Sequence, residues 1–276
     1  MTSVVARAAA SPALVARASR PSWAHRRREV LLFAAHAAPF LAVGAAYGGL
    51  RHFAGLRPVQ VESLHALDAA LFSVPTAHGA LPLSDVIAAQ HHLLLDLLCG
   101  SVYFLYLAEA FGIAAFLFFR ARTLSLELSL GFLLVNVLGW VVWVLYPSAP
   151  PWYVDAHGFA PPGPDVASNA AALLRVDAWL GVDYFRAFYA KSTYVFGSFP
   201  SLHAAYAVLV ALVTARRPGK LRLFSVAFAV AIGFAAVYLR HHYVLDVVGG
   251  AALAVFVWAL LEATPLGAAA RRARAA

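Results

Sequence analysis

The sequence predicts an all-α fold, a polytopic membrane bundle of six transmembrane helices. Of its 276 residues, 62% are hydrophobic and 12% are charged, against about 45–50% and about 25% in soluble domains. The mean hydropathy is +0.75, and six apolar stretches have lengths suited to crossing a bilayer. The net charge of +8 comes mainly from arginines in short segments around these stretches, which indicates membrane topology rather than nucleic-acid binding.

Composition divides the chain into three parts. Residues 1–29 form a basic N-terminal tail, residues 30–262 the membrane domain, and residues 263–276 a basic C-terminal tail. The predicted spans are 30–50, 93–119, 124–146, 199–215, 221–239 and 243–261. We interpret the N-terminal tail as cytosolic, and the alternative is an Arg- and Ala-rich targeting peptide.

Two connections are too polar or too rich in proline to cross a membrane. Within residues 51–91, the segments 61–72 and 83–89 are typical of short amphipathic pieces that lie at the interface. The connection 147–194 is rich in Pro, Gly and Asp, and its many aromatic residues suit the headgroup layer. Asn136, inside the third span, is expected to form a hydrogen bond between helices.

The positive residues orient the bundle. If the N-terminus is cytoplasmic, 15 of the 21 Lys and Arg residues fall on the cytoplasmic side and 6 on the outer side. This bias predicts that both termini are cytoplasmic. His203 and His242 then both lie at the outer ends of their helices, so the candidate site is expected on the extracytoplasmic or lumenal side.

Two stretches carry the residues that phosphoryl transfer needs: 196–203, which ends in His203, and 238–246, which contains His242 and Asp246. Residues i and i+4 share a helix face, so the carboxylate is expected to fix one nitrogen of His242 and leave the other free as a nucleophile. His203 could then protonate the leaving oxygen. This chemistry needs no metal or other cofactor.

The competing interpretation of the same three residues is a metal site, because imidazole and carboxylate are also metal ligands. The single cysteine, Cys99, excludes an internal disulfide and a cysteine-rich metal cluster.

Residues 200–203 and the pattern from His242 to Asp246 resemble the second and third signature motifs of the type-2 phosphatidic acid phosphatase superfamily. A narrower resemblance joins three segments in order and spacing, and it points to the fungal inositol phosphorylceramide synthases: 150–153, 195–203 and 238–250. The resemblance covers roughly residues 120–262. It implies that His242 is the nucleophile, Asp246 its orienting partner and His203 the acid and base.

This sequence departs from the superfamily in two places. The first motif, a Lys followed seven residues later by Arg-Pro, is absent, and Ala235-Ala236 stand where a Ser-Arg pair normally precedes the third motif. A bound phosphate would need other cations, and Lys191 and Arg240 are the nearby candidates. Further substrate contacts are expected from Ser201, Trp152 and Tyr153.

The resemblance implies a membrane phosphotransferase. It would move a phosphoinositol group from phosphatidylinositol to a lipid hydroxyl such as ceramide, through a phosphohistidine. With water as the acceptor, the same site would be a lipid phosphate phosphatase acting on phosphatidic acid or a polyprenyl phosphate. A transporter or lipid-binding scaffold is a third interpretation, disfavoured because no related halves are visible. The expected location is a cell inner membrane or a Golgi-type membrane, and no nucleic-acid partner is expected.

Overall fold

The computed structural model describes residues 22–77, 79–163, 166–217 and 219–268, and it is mainly helical, as predicted. A 3-10 helix, Gly48–Phe53, continues the first α-helix. The α-helices are, in order, α1 (Trp23–Tyr47), α2 (Glu62–Phe72), α3 (Leu83–Ala89), α4 (Leu93–Phe104), α5 (Tyr106–Arg120), α6 (Arg122–Leu145), α7 (Pro151–His157), α8 (Leu173–Leu180), α9 (Tyr184–Tyr189), α10 (Leu202–Thr214), α11 (Lys220–Tyr238) and α12 (Val244–Glu262).

The long apolar helices identify an integral membrane protein, but they do not confirm a count of six spans. Four described segments are long and apolar enough to cross a membrane: Trp23–Phe53, α6, α11 and α12. The pair of α4 and α5, bent by 48° at Leu105, would make a fifth. The predicted span 199–215 is wrong in length, because α10 has only 13 residues, or about 20 Å, against a hydrocarbon core of about 30 Å.

The ends of α1 and α10 differ from the predicted boundaries for local reasons. Ser22 caps α1 by accepting a hydrogen bond from the backbone of His25, so the helix begins seven residues before position 30. Pro200 cannot continue a helix in its interior, and Ser201 caps α10 just after it. Residues 1–21 and 269–276 of the two predicted tails lie outside the described residues.

The segment after α1 contains the two short helices that the sequence predicts, α2 and α3, and also a β-hairpin that it does not. Strand β1 (Ser73–Thr76) pairs antiparallel with β2 (Gly79–Pro82), with Val74 opposite Leu81. The all-α prediction is therefore wrong for these eight positions. Each strand is four residues long and contains a proline, which is typical of edge strands.

Helix α10 lies at the centre of the bundle and packs against α5, α6, α11 and α12. Close approach depends on glycines: a Cβ at Gly139 of α6 would lie 2.6 Å from Leu202, and one at Gly250 of α12 would collide with the Ser201 carbonyl oxygen. Asn136 of α6 accepts a hydrogen bond from the Tyr206 hydroxyl of α10 at 2.6 Å, as expected for an interhelical polar contact. The helix that carries His203 is thus held tightly against its neighbours.

Candidate active site

Asp246, fully buried in the first turn of α12, collects three hydrogen bonds on one carboxylate oxygen. Its Oδ2 accepts from the Ser198 hydroxyl (2.6 Å), the Tyr243 backbone N–H (2.9 Å) and Nδ1 of His242 (3.3 Å). Tyr243 is the N-cap, so His242 lies one residue before the cap and outside the helix. The expected contact between His242 and Asp246 is present, but it comes from the helix cap and not from a helical face.

His203, the second residue of α10, faces His242 across the contact between α10 and α12. The distance from its Nδ1 to Nε2 of His242 is 3.3 Å. The backbone N–H of Ser201 donates to the carbonyl oxygen of Asp246 at 2.9 Å, which ties the beginnings of the two helices together. The structure thus brings together His203, His242 and Asp246 as the sequence suggests.

These contacts select one protonation pattern. A carboxylate only accepts hydrogen bonds, so Nδ1 of His242 carries the hydrogen and Nε2 of the neutral ring presents a lone pair. Nδ1 of His203 must then be the donor in its contact with that lone pair. A nucleophile and a proton donor therefore face the same point, which is the arrangement that transfer through a phosphohistidine requires.

The histidines lie in the wall of a cavity of about 610 Å³. Its lining is rich in aromatic residues and comes from α1, α4, α5, α6 and residues 150–198, whose helices α7, α8 and α9 were not predicted. Lys191 lines this cavity, and among the described lining residues it carries the only permanent charge. Trp152 also lines it. Both residues, which the sequence predicts as substrate contacts, therefore line the cavity beside the histidines.

Arg240 has a different setting. Its guanidinium forms ion pairs with Asp155 and with Asp85, at 2.5 and 2.7 Å, and its side chain is only 14% exposed. It tethers the turn before His242 to α7 and α3, and it is not among the residues that line the cavity. A phosphate would have to compete with two carboxylates for this side chain, so the geometry favours a structural role over the predicted phosphate contact.

Ser201 and Tyr153, the other two predicted contact residues, form hydrogen bonds with backbone groups near the site. Ser201 is fully buried, and its hydroxyl accepts from the Ala204 backbone N–H at 3.3 Å as the N-cap of α10. The Tyr153 hydroxyl donates to the Ala160 carbonyl at 3.0 Å. Neither side chain is part of the described cavity lining.

The metal interpretation finds no support in the described part of the chain, where no group of three His, Cys, Asp or Glu residues has the arrangement of a metal site. Within the candidate triad, the carboxylate contacts Nδ1 of His242, and Nε2 of the same ring contacts Nδ1 of His203. Direct hydrogen bonding explains their positions without an ion.

Four residues that the sequence analysis missed contribute to the site. Ser198 donates to Asp246, as described above. Asp68 of α2 is fully buried and accepts from the Leu245 backbone N–H at 2.8 Å, which caps α12 from a distant part of the chain. Burial raises the pKa of Asp68 despite that hydrogen bond. The remaining two, Tyr103 and His241, lie beside His203.

His241 is enclosed between two tyrosine rings. Its imidazole stacks on Tyr103 and on Tyr189 with ring centroids 5.0 and 4.7 Å apart. Burial and the neighbouring His242 lower the pKa of His241 to about 3, so that it is neutral at physiological pH. The adjacent histidines of the motif thus have different environments, and only His242 contacts a carboxylate.

Known proteins match this sequence over most of its length. The family model described as PAP2 superfamily matches residues 62–260. The "Phosphoinositol dihydroceramide synthase" of Bacteroides thetaiotaomicron is 33% identical over 235 residues, which are 81% of this chain and 75% of that protein. The "Inositol phosphorylceramide synthase" of Candida albicans is 32% identical over 64% of this chain, but the match spans only 38% of that protein.

Among solved structures, the crystal structure of Aquifex aeolicus LpxE has a TM-score of 0.47 and 21% sequence identity, over 64% of this chain and 91% of that one. The family match begins at residue 62, well before the region 120–262 in which the motifs were recognised, and so it includes α2 and α4.

Proposed function

The chain belongs to the PAP2 superfamily, and on this basis we propose that it is a membrane phosphotransferase that moves phosphoinositol from phosphatidylinositol to a ceramide-type lipid. The observation that carries the proposal is the contact between His203 and His242, backed by Asp246, in the wall of the aromatic cavity. The names of the two synthases above support the choice of donor and acceptor.

In the first half-reaction, Nε2 of His242 attacks the phosphorus of phosphatidylinositol. An N–P bond forms, the P–O bond to diacylglycerol breaks, and His203, which enters this step as the imidazolium, gives a proton to the departing oxygen and becomes neutral. As the His242 ring becomes positively charged, Asp246 stabilises it through the hydrogen bond to Nδ1. The product is diacylglycerol, and the phosphoinositol group is held on His242.

In the second half-reaction, the hydroxyl of the acceptor lipid attacks the phosphorus. His203, now neutral, takes the hydroxyl proton, the new P–O bond forms, and the N–P bond breaks to restore His242. Lys191, exposed at the cavity, is the cation best placed to offset charge on the non-bridging phosphate oxygens. No step in this scheme needs a metal or another cofactor.

The sidedness follows from the charge bias of the sequence. Because the six predicted spans would put 15 of 21 basic residues on the side of the N-terminus, we propose that both termini are cytoplasmic and that the cavity is on the extracytoplasmic or lumenal side. The donor lipid would then come from the outer or lumenal leaflet of a cell inner membrane or a Golgi-type membrane.

The test uses purified full-length protein with inositol-labelled phosphatidylinositol in mixed micelles, with and without ceramide or dihydroceramide. We expect labelled inositol phosphorylceramide only when a ceramide is present, and no product from His242→Ala. Samples quenched in alkaline detergent without acceptor should contain label on the protein that survives base and is lost in acid, as phosphohistidine is.

The other interpretations predict different products. Release of water-soluble inositol phosphate at a rate independent of ceramide would identify a hydrolase and overturn the transferase proposal. Failure to consume any phospholipid would favour a transporter or scaffold.

A further inference from the structure

Tyr103 of α4 is a buried residue that contacts the proposed acid and base directly. It is 3% exposed, and its ring stacks on the His203 imidazole with centroids 4.3 Å apart. Its hydroxyl lies 3.1 Å from Nδ1 of His203, the same nitrogen that faces His242. Tyr103 also stacks on the His241 imidazole, which stacks on Tyr189 as well.

The direction of these hydrogen bonds follows from the carboxylate. Asp246 fixes a lone pair on Nε2 of His242, so Nδ1 of His203 carries a hydrogen. The Tyr103 oxygen, at 3.1 Å from that nitrogen, accepts the same hydrogen. Its own hydrogen is then free to bond another acceptor. A hydroxyl can also reverse this role and donate to Nδ1 once that nitrogen has lost its proton.

We propose that Tyr103 is a positioning residue that keeps the His203 imidazole correctly placed next to the reacting phosphorus in both half-reactions. This inference rests on the proposed function. In the phosphohistidine intermediate, Nε2 of His242 is bonded to phosphorus and no longer accepts from His203. Tyr103 is then the hydrogen-bond partner of Nδ1 that remains among the described residues.

The position of α4 suits this role because the helix is anchored by a buried ionic network. Asp96, two turns before Tyr103, accepts from Nε of Arg175 on α8 at 3.1 and 3.0 Å and from the Tyr238 hydroxyl of α11 at 2.7 Å. The phenol therefore approaches His203 from a helix that is fixed independently of α10 and α12. A rigid partner keeps an imidazole within hydrogen-bonding reach while its other partner changes.

The experiment removes only the hydroxyl, in Tyr103→Phe, and compares two donors. Phosphatidylinositol releases an alkoxide that needs a proton from His203, whereas the p-nitrophenyl phosphodiester of inositol releases a phenolate that needs none. We expect the variant to lose roughly 10- to 100-fold in the single-turnover rate of the first half-reaction with phosphatidylinositol and less than about threefold with the aryl donor, since the proton transfer to the leaving group is the step affected. KM for phosphatidylinositol should change little.

The matched control is Tyr206→Phe, which removes the hydroxyl of another buried tyrosine. That hydroxyl donates a hydrogen bond to Asn136 at 2.6 Å, and neither residue is part of the described cavity lining. We expect its kcat to stay within about threefold of wild type with both donors. Activity of Tyr103→Phe on the aryl donor also shows that the variant is folded.

The results separate this inference from the proposed function. If the wild-type protein does not turn over phosphatidylinositol, both are overturned. If it does, but Tyr103→Phe loses equally on both donors or on neither, only the role of Tyr103 is overturned.

Discussion

Replacing Asp246 with Asn tests how the carboxylate acts on His242. All three hydrogen bonds to Asp246 reach Oδ2, and within the described residues its Oδ1 has no partner. The oxygen of Asn can therefore take the place of Oδ2, where three donors face it. We expect Asp246→Asn to keep the nucleophilic tautomer of His242 and to lose only the negative charge.

The magnitude follows from the distance of 3.3 Å between His242 Nδ1 and the carboxylate. A full imidazolium and a carboxylate at that separation attract by about 5 kcal/mol at an effective dielectric constant of about 20. The charge on His242 is only partly developed in the transition state, and two other donors share the oxygen, so about 2–4 kcal/mol is the expected loss. That corresponds to a fall in kcat of roughly 30- to 900-fold.

The assay is kcat for phosphatidylinositol at saturating donor and acceptor, with the melting temperature measured in parallel. The amide nitrogen of Asn would occupy the unpartnered position of Oδ1, and an unsatisfied buried donor costs about 1–3 kcal/mol of stability. A loss below about threefold in a folded variant would show that the charge is not used. A loss as large as that of His242→Ala would instead indicate that the tautomer is reversed.

Three further predictions concern metals, sidedness and acid stability. Activity should survive thorough EDTA treatment, and restoration by zinc or magnesium after a loss would favour the metal interpretation. In a variant without Cys99, a cysteine at exposed Ala156 should react with an impermeant maleimide on intact cells, and one at exposed Ala215 only after permeabilisation; the reverse pattern would invert the topology. His241 has a folded pKa of about 3, so between pH 6.5 and about 3 the unfolded chain binds more protons and stability falls as the pH is lowered. The melting temperature of His241→Gln should therefore decrease less than that of wild type between pH 7 and pH 5, and an equal decrease would contradict this reasoning.

Local patterns in the sequence predict the elements and the central triad well. Apolar runs locate the long helices, the proline- and charge-rich segment 51–91 predicts α2 and α3, and the two motif stretches hold the three side chains that meet. The charge count also puts both histidines at the same side of the bundle before any contact is known. These properties depend on residues close together in sequence, which periodicity and spacing can reveal.

The supporting residues could not be predicted, because their roles depend on contacts between distant segments. Tyr103 lies 100 positions from His203 and follows no motif, and Asp68 reaches Leu245 from a helix that reads as an ordinary amphipathic segment. The ion pairs of Arg240 could not be predicted for the same reason: its charge is visible in the sequence, but the carboxylates of Asp85 and Asp155 that neutralise it are not adjacent to it.

The charges around the cavity bear on the choice between a phosphodiester and a phosphomonoester as donor. A diester such as phosphatidylinositol carries one negative charge, whereas a monoester such as phosphatidic acid carries about 1.5 to 2 at neutral pH. Among the described residues, Lys191 is the one permanent cation in the lining, because Arg240 is paired elsewhere, and Asp246 adds a buried negative charge behind His242. This balance suits a donor with a single charge.

A second charge on the substrate would be repelled by Asp246 and would have no cation of its own. At a separation of roughly 8 Å and an effective dielectric constant of about 20, that repulsion is about 2 kcal/mol, or about 30-fold in kcat/KM.

We therefore expect kcat/KM for phosphatidylinositol to exceed that for phosphatidic acid by at least about tenfold at pH 8. The ratio of the two kcat/KM values should decrease towards pH 5.5. There the monoester takes up a proton and keeps only one negative charge, while the diester does not change its charge. Measuring both donors across this range in the same micelles cancels changes in the histidines, since they affect both reactions. A preference for phosphatidic acid at pH 8 would mean that a cation other than Lys191 reaches the phosphate, and it would favour the phosphatase interpretation over transfer from a diester.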